Sequence, residues 1–166
     1  MSRREQIKLS ASEVAAFLAE ERTVTCATIG PRGWPHMMPL WYVLRGHSYE
    51  PGPRIWAWTY AASQKVRNLE RDPRATLQVE AGEEYAELRG VMLECDAAIH
   101  RGIETVARLG AEIMLRNATP RGDPPLAELP DEARALVDAQ ATKRVALEFI
   151  ERHRASWDHR KLGGVY

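Results

Sequence analysis

The sequence has few cysteines and no long apolar run. Only Cys26 and Cys95 occur among the 166 residues, and one pair in a chain this long does not indicate a disulfide framework, so we interpret both as reduced, apolar-like thiols. No segment approaches the about 18 apolar residues of a membrane-spanning helix. The polar stretch Met1 to Lys8 lacks the apolar centre of a signal peptide. We therefore expect a cytoplasmic protein that has no membrane partner.

An excess of charge of one sign is also missing. The chain carries 23 basic and 23 acidic residues and has a formal net charge of zero. This balance predicts no general affinity for nucleic acid or for anionic membranes, so an anion site must come from local charge placement. Hydrophobic residues make up 45% and charged residues 28%, which is typical of a globular protein. Because no repeat, low-complexity tract or linker divides the chain, we predict a single domain over residues 1–166.

Several catalytic and binding motifs are absent from the sequence. It contains no glycine-rich dinucleotide loop, no phosphate-loop motif and no nucleophile elbow. None of the five histidines pairs with another histidine, a cysteine or a carboxylate at the helical spacing of metal ligands. We therefore predict no metal site. Three residues are candidate proton donors, and the sequence does not choose among them: His36, Tyr42 and Tyr60.

Hydrophobic periodicity predicts six strands and four helices. The predicted strands are Thr23–Ile29, Met37–Leu44, Arg54–Thr59, Ala75–Glu80, Ala86–Ala98 and Val145–Phe149, and the predicted helices are Ser10–Glu21, Ser63–Arg71, Gly102–Leu115 and Asp131–Gln140. The strands are spaced mostly as hairpins, so the sheet should be largely antiparallel, and such a sheet tends to close on itself and remove its edges. The expected class is α+β, a six-stranded barrel with peripheral helices.

The end of the third strand and the start of the second predicted helix form a candidate phosphate site. The strand ends at Thr59, Ser63 is suited to be the helix N-cap, and Lys65 falls in the first turn. A cation there opposes the helix dipole, whereas free amides, two hydroxyls and a cation together favour an anion. The alternative is that Lys65 and Arg67 point into water on a surface helix.

Four tryptophans occur within 25 residues: Trp34, Trp41, Trp56 and Trp58. Their flat rings suit a flavin pocket, and they equally suit a barrel core or a subunit interface. Trp58 can reach the site near Thr59 only if its face of the strand is the ligand side. The basic tail offers further groups for an anionic cofactor tail, namely Arg152, Arg154, Arg160 and Lys161.

The order of these motifs resembles the pyridoxamine 5′-phosphate oxidase-like superfamily of split β-barrels. The similarity lies in Thr59-Tyr60-x-x-Ser63-x-Lys65, Asn68-Leu69-x-Arg71-Asp72-Pro73-Arg74-Ala75, Pro39-Leu40-Trp41, Arg89-Gly90-Val91 and the tail Ser156 to Leu162. The resemblance implies a homodimer that holds two cofactors between its subunits. It also implies that Thr59, Ser63 and Lys65 bind the phosphate, and that Pro39, Trp41 and Trp58 contact the cofactor.

The departures from the family pattern bear on the cofactor. His36 and Trp41 stand where the oxidase has basic residues, and Gly90 and Met92 stand where it has Gln and Arg. The chain is more similar to the deazaflavin branch, which implies an oxidoreductase that transfers a hydride between coenzyme F420 and a small conjugated substrate. The alternatives are an FMN-dependent oxidoreductase of the same fold and a non-catalytic protein that binds a flavin, a deazaflavin or haem.

Overall fold

The structure is a computed structural model that describes residues 2–46, 52–121, 123 and 126–163. In these residues the chain forms five α-helices and six β-strands. In chain order they are α1 (Arg3–Gln6), α2 (Ala11–Glu20), β1 (Thr23–Ile29), β2 (Pro35–Arg45), β3 (Arg54–Tyr60), α3 (Gln64–Arg71), β4 (Arg74–Ala81), β5 (Arg89–His100), α4 (Ile103–Ala118), α5 (Asp131–Ala141) and β6 (Arg144–Asp158).

The six strands close into an antiparallel barrel. Their order is β1-β2-β3-β6-β5-β4, and β4 pairs back to β1. Burial alternates along β1, β3 and β4, because successive side chains of a strand point to opposite faces. The interior is filled by inward-facing side chains such as Val24, Leu77 and Phe149. The predicted α+β class, with six antiparallel strands and peripheral helices, is confirmed.

The barrel wall is open between β2 and β3. Residues Pro35 to Trp41 of β2 pair with β1, whereas only Tyr42 to Arg45 pair with β3. The last β2–β3 pair in this direction is Tyr42 with Ala57, so Leu40 and Thr59, which the same register would place side by side, are not paired. We call this opening, between residues 35–41 of β2 and 58–60 of β3, the split.

Two helices pack close to the barrel interior. The predicted capping box of α2 is present, since Oγ of Ser10 accepts from the amide of Glu13 at 3.2 Å and the Glu13 carboxylate accepts from the amide of Ser10 at 2.7 Å. Val14, Phe17 and Leu18 of α2 join the main core. The short α3 follows the split and buries Val66 and Leu69 in the same core, so its position is set by apolar contacts as well as by its connection to β3.

The two longer C-terminal helices cover the outside of β2, β3 and β6. Val106, Leu109 and Ile113 of α4 form a second apolar cluster against these strands. Gly110 permits a close approach, because a Cβ on this residue would lie 2.4 Å from Cζ3 of Trp58. The outer face of β3 is therefore used for helix packing.

Some element limits differ from the prediction. The last strand was predicted to end at Phe149, but β6 continues to Asp158, because β5 pairs with it from Ala146 to Asp158. β5 begins at Arg89 rather than at Ala86, since Tyr85 to Glu87 form a 3-10 turn. The short α1, begun by a capping box at Ser2, was not predicted. These differences leave the order of the main elements unchanged.

We expect Gly110→Ala to lower the free energy of unfolding by about 1–3 kcal/mol. Alanine is the better helix former by about 1 kcal/mol, but its Cβ would overlap the Trp58 ring. Urea denaturation followed by tryptophan fluorescence measures the effect. Gly46→Ala is the control, because no atom lies within 4 Å of its added Cβ. Equal stability of the two variants would contradict the close approach of α4 to β3.

Two absences hold for the described part of the chain. None of its helices is long and apolar enough to cross a membrane. No group of three or more histidine, cysteine, aspartate or glutamate side chains in the same residues is arranged to hold a metal ion.

Candidate functional site

The side chain of Lys65 points into the protein. The residue is 5% exposed, and its Nζ donates to Oγ1 of Thr59 at 3.0 Å. The thiol of Cys26 lies close enough to interact electrostatically, whereas no carboxylate of the described residues does, and burial lowers the pKa of Lys65. A buried cation without an anionic partner is costly. The interpretation of Lys65 as a solvated surface lysine is therefore wrong.

Ser63 occupies the N-cap position of α3, as predicted, but it does not cap with its side chain. Its backbone is extended, and its hydroxyl accepts no bond from an early amide of the helix. Oγ of Ser63 is instead buried without a partner in the described residues. The first amides of a helix have no acceptor within it. Thr59, Ser63, Lys65 and the start of α3 thus present two hydroxyls, an ammonium and free amides at one helix end.

The inner face of β2 forms the other side of the split. Its register with β1 places His36, Met38 and Leu40 on the same face as the buried residues of β1. Nδ1 of His36 is buried without a partner in the described residues, and Met38 is 45% exposed although it faces inward. An inward methionine reaches solvent here because β3 does not cover this part of β2. The split therefore has an imidazole and an apolar surface.

The other two candidate proton donors, Tyr42 and Tyr60, do not offer a free hydroxyl on the inner face of the split. The hydroxyl of Tyr42 donates to the carbonyl of Leu18 at 2.6 Å, and burial raises the pKa of Tyr42 to about 12. Tyr60 lies on the outer face of β3, where the Arg144 guanidinium sits 4.1 Å from its ring centroid. Of the three, His36 alone combines an inward position at the split with an unpartnered polar atom.

A polar side chain to which the sequence alone assigned no role joins α3 to the barrel. Asn68 is fully buried, and its Nδ2 donates to Oγ1 of Thr28 at 2.9 Å. Its Oδ1 accepts from Nε2 of Gln64 at 2.8 Å. The sequence held a signal for this residue, because Asn68 lies three positions after Lys65 and next to Leu69, on the buried face of the helix.

Trp58 lies on the opposite face of β3 from Thr59. It packs against Gly110 of α4 and under the guanidinium of Arg144, which is 4.4 Å from its ring centroid. Burial alternates along the strand, with Thr59 inward and Trp58 between strand and helix. This packing argues against the expected contact of Trp58 with a ligand bound at Lys65.

Pro39 and Trp41 lie on the outer face of β2. Together with Met37 they make a surface that we call the outer patch. Met37 is 60% and Trp41 51% exposed, and Trp34, in the turn before β2, is 74% exposed. The structure therefore brings Thr59, Ser63 and Lys65 together, and it places Pro39 and Trp41 at the edge of the split but facing outward.

The basic tail residues have partners of their own. Each forms an ion pair with a nearby carboxylate: Arg152 with Asp96, Arg154 with Glu151, Arg160 with Asp158 and Lys161 with Glu13. The two cysteines are free and buried, and burial raises the pKa of both thiols to about 12. Lys65 thus differs from these tail cations in having no carboxylate beside it.

Comparison with solved structures finds a relative along the whole chain. A conserved hypothetical protein from Mycobacterium tuberculosis is 38% identical, with a TM-score of 0.81 over 100% of this chain and 95% of that one. A structure described as an F420 reductase is 17% identical, with a TM-score of 0.59 over 84% of this chain and 94% of the other. The haem storage protein HutZ from Vibrio cholerae is 13% identical, with a TM-score of 0.61 over 89% and 93%.

The two more distant structures share the fold, and their identity is too low to indicate more. No curated protein matches the sequence. Residues 10–137 match the pyridoxamine 5′-phosphate oxidase family, and this range includes the split, α3 and the Lys65 site. The chain therefore belongs to the pyridoxamine 5′-phosphate oxidase family, whose members include oxidoreductases.

Proposed function

We propose that this protein is an oxidoreductase that binds coenzyme F420 in the split and transfers a hydride between it and a small, conjugated, largely apolar substrate. The observation that carries the proposal is the buried ammonium of Lys65, which has the Thr59 hydroxyl as its only hydrogen-bond partner among the described residues. A phosphate would supply the missing negative charge. The fold shared with an F420 reductase is consistent with this choice.

The residues around Lys65 fit a phosphate group. The unpartnered Oγ of Ser63 lies two residues before it in the chain, and the N-terminus of α3 favours negative charge. Charge-assisted hydrogen bonds of this kind contribute about 1.5–3 kcal/mol each. Lys65, Thr59, Ser63 and the first amides of α3 would together hold the phosphate.

The split also fits the ring of such a cofactor. Met38 and Leu40 give an apolar surface on the inner face of β2, and flat rings bind well to apolar surfaces that exclude water. A bound deazaflavin supplies the hydride chemistry. The protein binds and orients it, and we assign to His36, through Nδ1, the role of holding a proton beside the substrate.

We further propose that the protein acts as a homodimer. The outer patch exposes Trp41 and Met37 next to the split, and an exposed apolar surface of this kind marks an interaction site. A second copy would cover the patch and, by closing the open side of the split, would complete the cofactor site. Pro39 and Trp41 would then contact the cofactor from the edge of the interface.

FMN is the second candidate, because it carries a phosphate that the same residues would hold. His36 and Trp41 stand in place of two basic residues of the oxidase, and the closer resemblance to the deazaflavin branch is our reason for placing F420 first. Haem also carries carboxylates, and we rank it third because hydroxyls, helix amides and an ammonium at one helix end favour a phosphate.

Titration of the purified apo-protein with F420 and with FMN tests the proposal. We expect both to quench the fluorescence of the chain's five tryptophans, with tighter binding of F420, and we expect mass spectrometry to identify F420 in the complex recovered from a cell extract. Tight FMN binding without F420 binding would establish the second candidate. Binding without turnover of any acceptor would indicate a carrier, and binding of neither cofactor would refute the proposal.

A further inference from the structure

Asn68 is the centre of a hydrogen-bonded chain that joins three elements. Its Oδ1 accepts from Nε2 of Gln64 at 2.8 Å, and its Nδ2 donates to Oγ1 of Thr28 at 2.9 Å. The Thr28 hydroxyl in turn donates to the carbonyl of His36 at 3.4 Å. All three hydrogen bonds are donated in the same direction, from α3 through β1 to β2. These bonds therefore connect α3 with β2, the strand on the far side of the split.

These hydrogen bonds hold α3 in one position, because Asn68 and Thr28 are buried. Asn68 is 0% and Thr28 1% exposed, so each donor and acceptor that loses its partner is also kept from water. Such a loss is costly. Apolar contacts of Val66 and Leu69 allow α3 to slide or rotate by small amounts, whereas the directional bonds of Asn68 select one position. Lys65 lies three residues earlier, so its side chain enters on nearly the same face of the helix.

We propose that Asn68, acting through Thr28, is a positioning residue that fixes α3 so that the Lys65 ammonium and the unpartnered Ser63 hydroxyl converge on one anion. The inference rests on the proposed function for its ligand. Neither Asn68 nor Thr28 touches that ligand in this scheme. The hydrogen bond from the Thr28 hydroxyl to the carbonyl of His36 also links these residues to β2.

Two variants remove the chain of bonds without adding charge. Asn68→Leu removes both the hydrogen-bond donor and the acceptor of the side-chain amide. Thr28→Val removes one hydroxyl with little change of shape. We expect each to weaken F420 binding about three- to tenfold, the equivalent of part of one hydrogen bond. Thr28→Ser restores the hydroxyl and should bind within about twofold of the wild type. Val14→Ala, in the same core but on α2, controls for general loss of stability.

A second measurement separates positioning from stability. In the Lys65→Met background, Thr28→Val should cause a clearly smaller further loss of F420 affinity, because only the Ser63 hydroxyl and the helix amides remain to be positioned, yet it should still lower the stability. Equal losses of affinity in both backgrounds would overturn the proposal. Unchanged affinity in Asn68→Leu and Thr28→Val, with a loss in Lys65→Met, would also overturn it and would leave the proposed function intact.

A third readout needs no cofactor. The chain has four lysines, so Lys65 can be followed by NMR of 13Cε-labelled lysine as the pH is raised. In the wild-type protein the pKa of Lys65 should lie below the ordinary lysine value, because the ammonium is buried. In Thr28→Val the pKa of Lys65 should return toward the ordinary value. An unchanged titration would contradict the inference even if the protein binds no F420, an outcome that would separately refute the proposed function.

Discussion

Lys65→Met should weaken F420 binding about ten- to a hundredfold, the equivalent of one charge-assisted hydrogen bond of about 1.5–3 kcal/mol. Methionine retains much of the apolar stem of lysine and removes the charge. The apo-protein should become no less stable and is expected to gain stability, because a buried ammonium without an anionic partner is removed. Isothermal titration and urea denaturation measure the two effects.

The gain in stability should depend on pH in a definite direction. Burial lowers the pKa of Lys65 in the folded protein, so the unfolded chain binds more protons between the folded and unfolded pKa values. Stability therefore rises with pH through that range. The penalty is fully present below the folded pKa, and the advantage of Lys65→Met should be largest near neutral pH and should shrink as the pH approaches the ordinary lysine value.

Arg67→Met provides the matched control. Arg67 lies on the same helix and carries the same charge, but its side chain is exposed. Its replacement should change F420 affinity by less than about twofold at matched ionic strength, since exposed charges are screened. If the two variants bound equally well, Lys65 would have no special role and the phosphate site would have to be placed elsewhere.

Trp41→Glu should convert a dimer of about twice 18.8 kDa into a monomer at micromolar concentration. Aromatic residues near the centre of an interface commonly contribute at least 2 kcal/mol, which corresponds to about a thirtyfold weaker association, and a buried unpaired charge adds to this loss. Trp41 is 51% exposed in the single chain, so the substitution should cost the subunit little stability. Light scattering over a range of concentrations measures the change.

The control for this prediction is Leu136→Glu on α5. Leu136 is 57% exposed, but it lies on a helix outside the outer patch, so the dimer should persist. F420 affinity should fall in Trp41→Glu and not in Leu136→Glu, if the second subunit completes the site. A wild-type protein that is monomeric at these concentrations would contradict the homodimer proposal.

The sequence was sufficient to predict the barrel fold and a part of the candidate site. Alternation in β1, β3 and β4 and the capping box at Ser10 are local signals, and local signals predict elements well. The side to which Lys65 points was not predictable, because one turn of helix does not show which face the rest of the chain will cover. The unbonded hydroxyl of Ser63 departs from the usual behaviour of a serine at an N-cap, and such departures occur at functional sites.

Long-range pairing explains the remaining differences. Trp58 could have faced either side of β3 until α4 was placed against it through Gly110. The second half of β6 has too many polar residues for a predicted strand, and it is held by its pairing with β5. Asn68 lies in a segment predicted to be a helix, but its partner Thr28 is 40 residues away in the chain, so the folded structure was needed to show its role.

The first half of β2 has a consequence for how such proteins can diverge. Even-numbered residues such as His36 and Met38 face the split, and odd-numbered residues such as Met37 and Trp41 face outward. Under the proposed function and homodimer, alternate residues of this seven-residue stretch would determine ligand preference and self-association. Single substitutions can alter one property while the other is kept, whereas a one-residue insertion or deletion would exchange the two faces and damage both. We therefore expect related proteins to differ in this segment by substitutions and not by insertions or deletions.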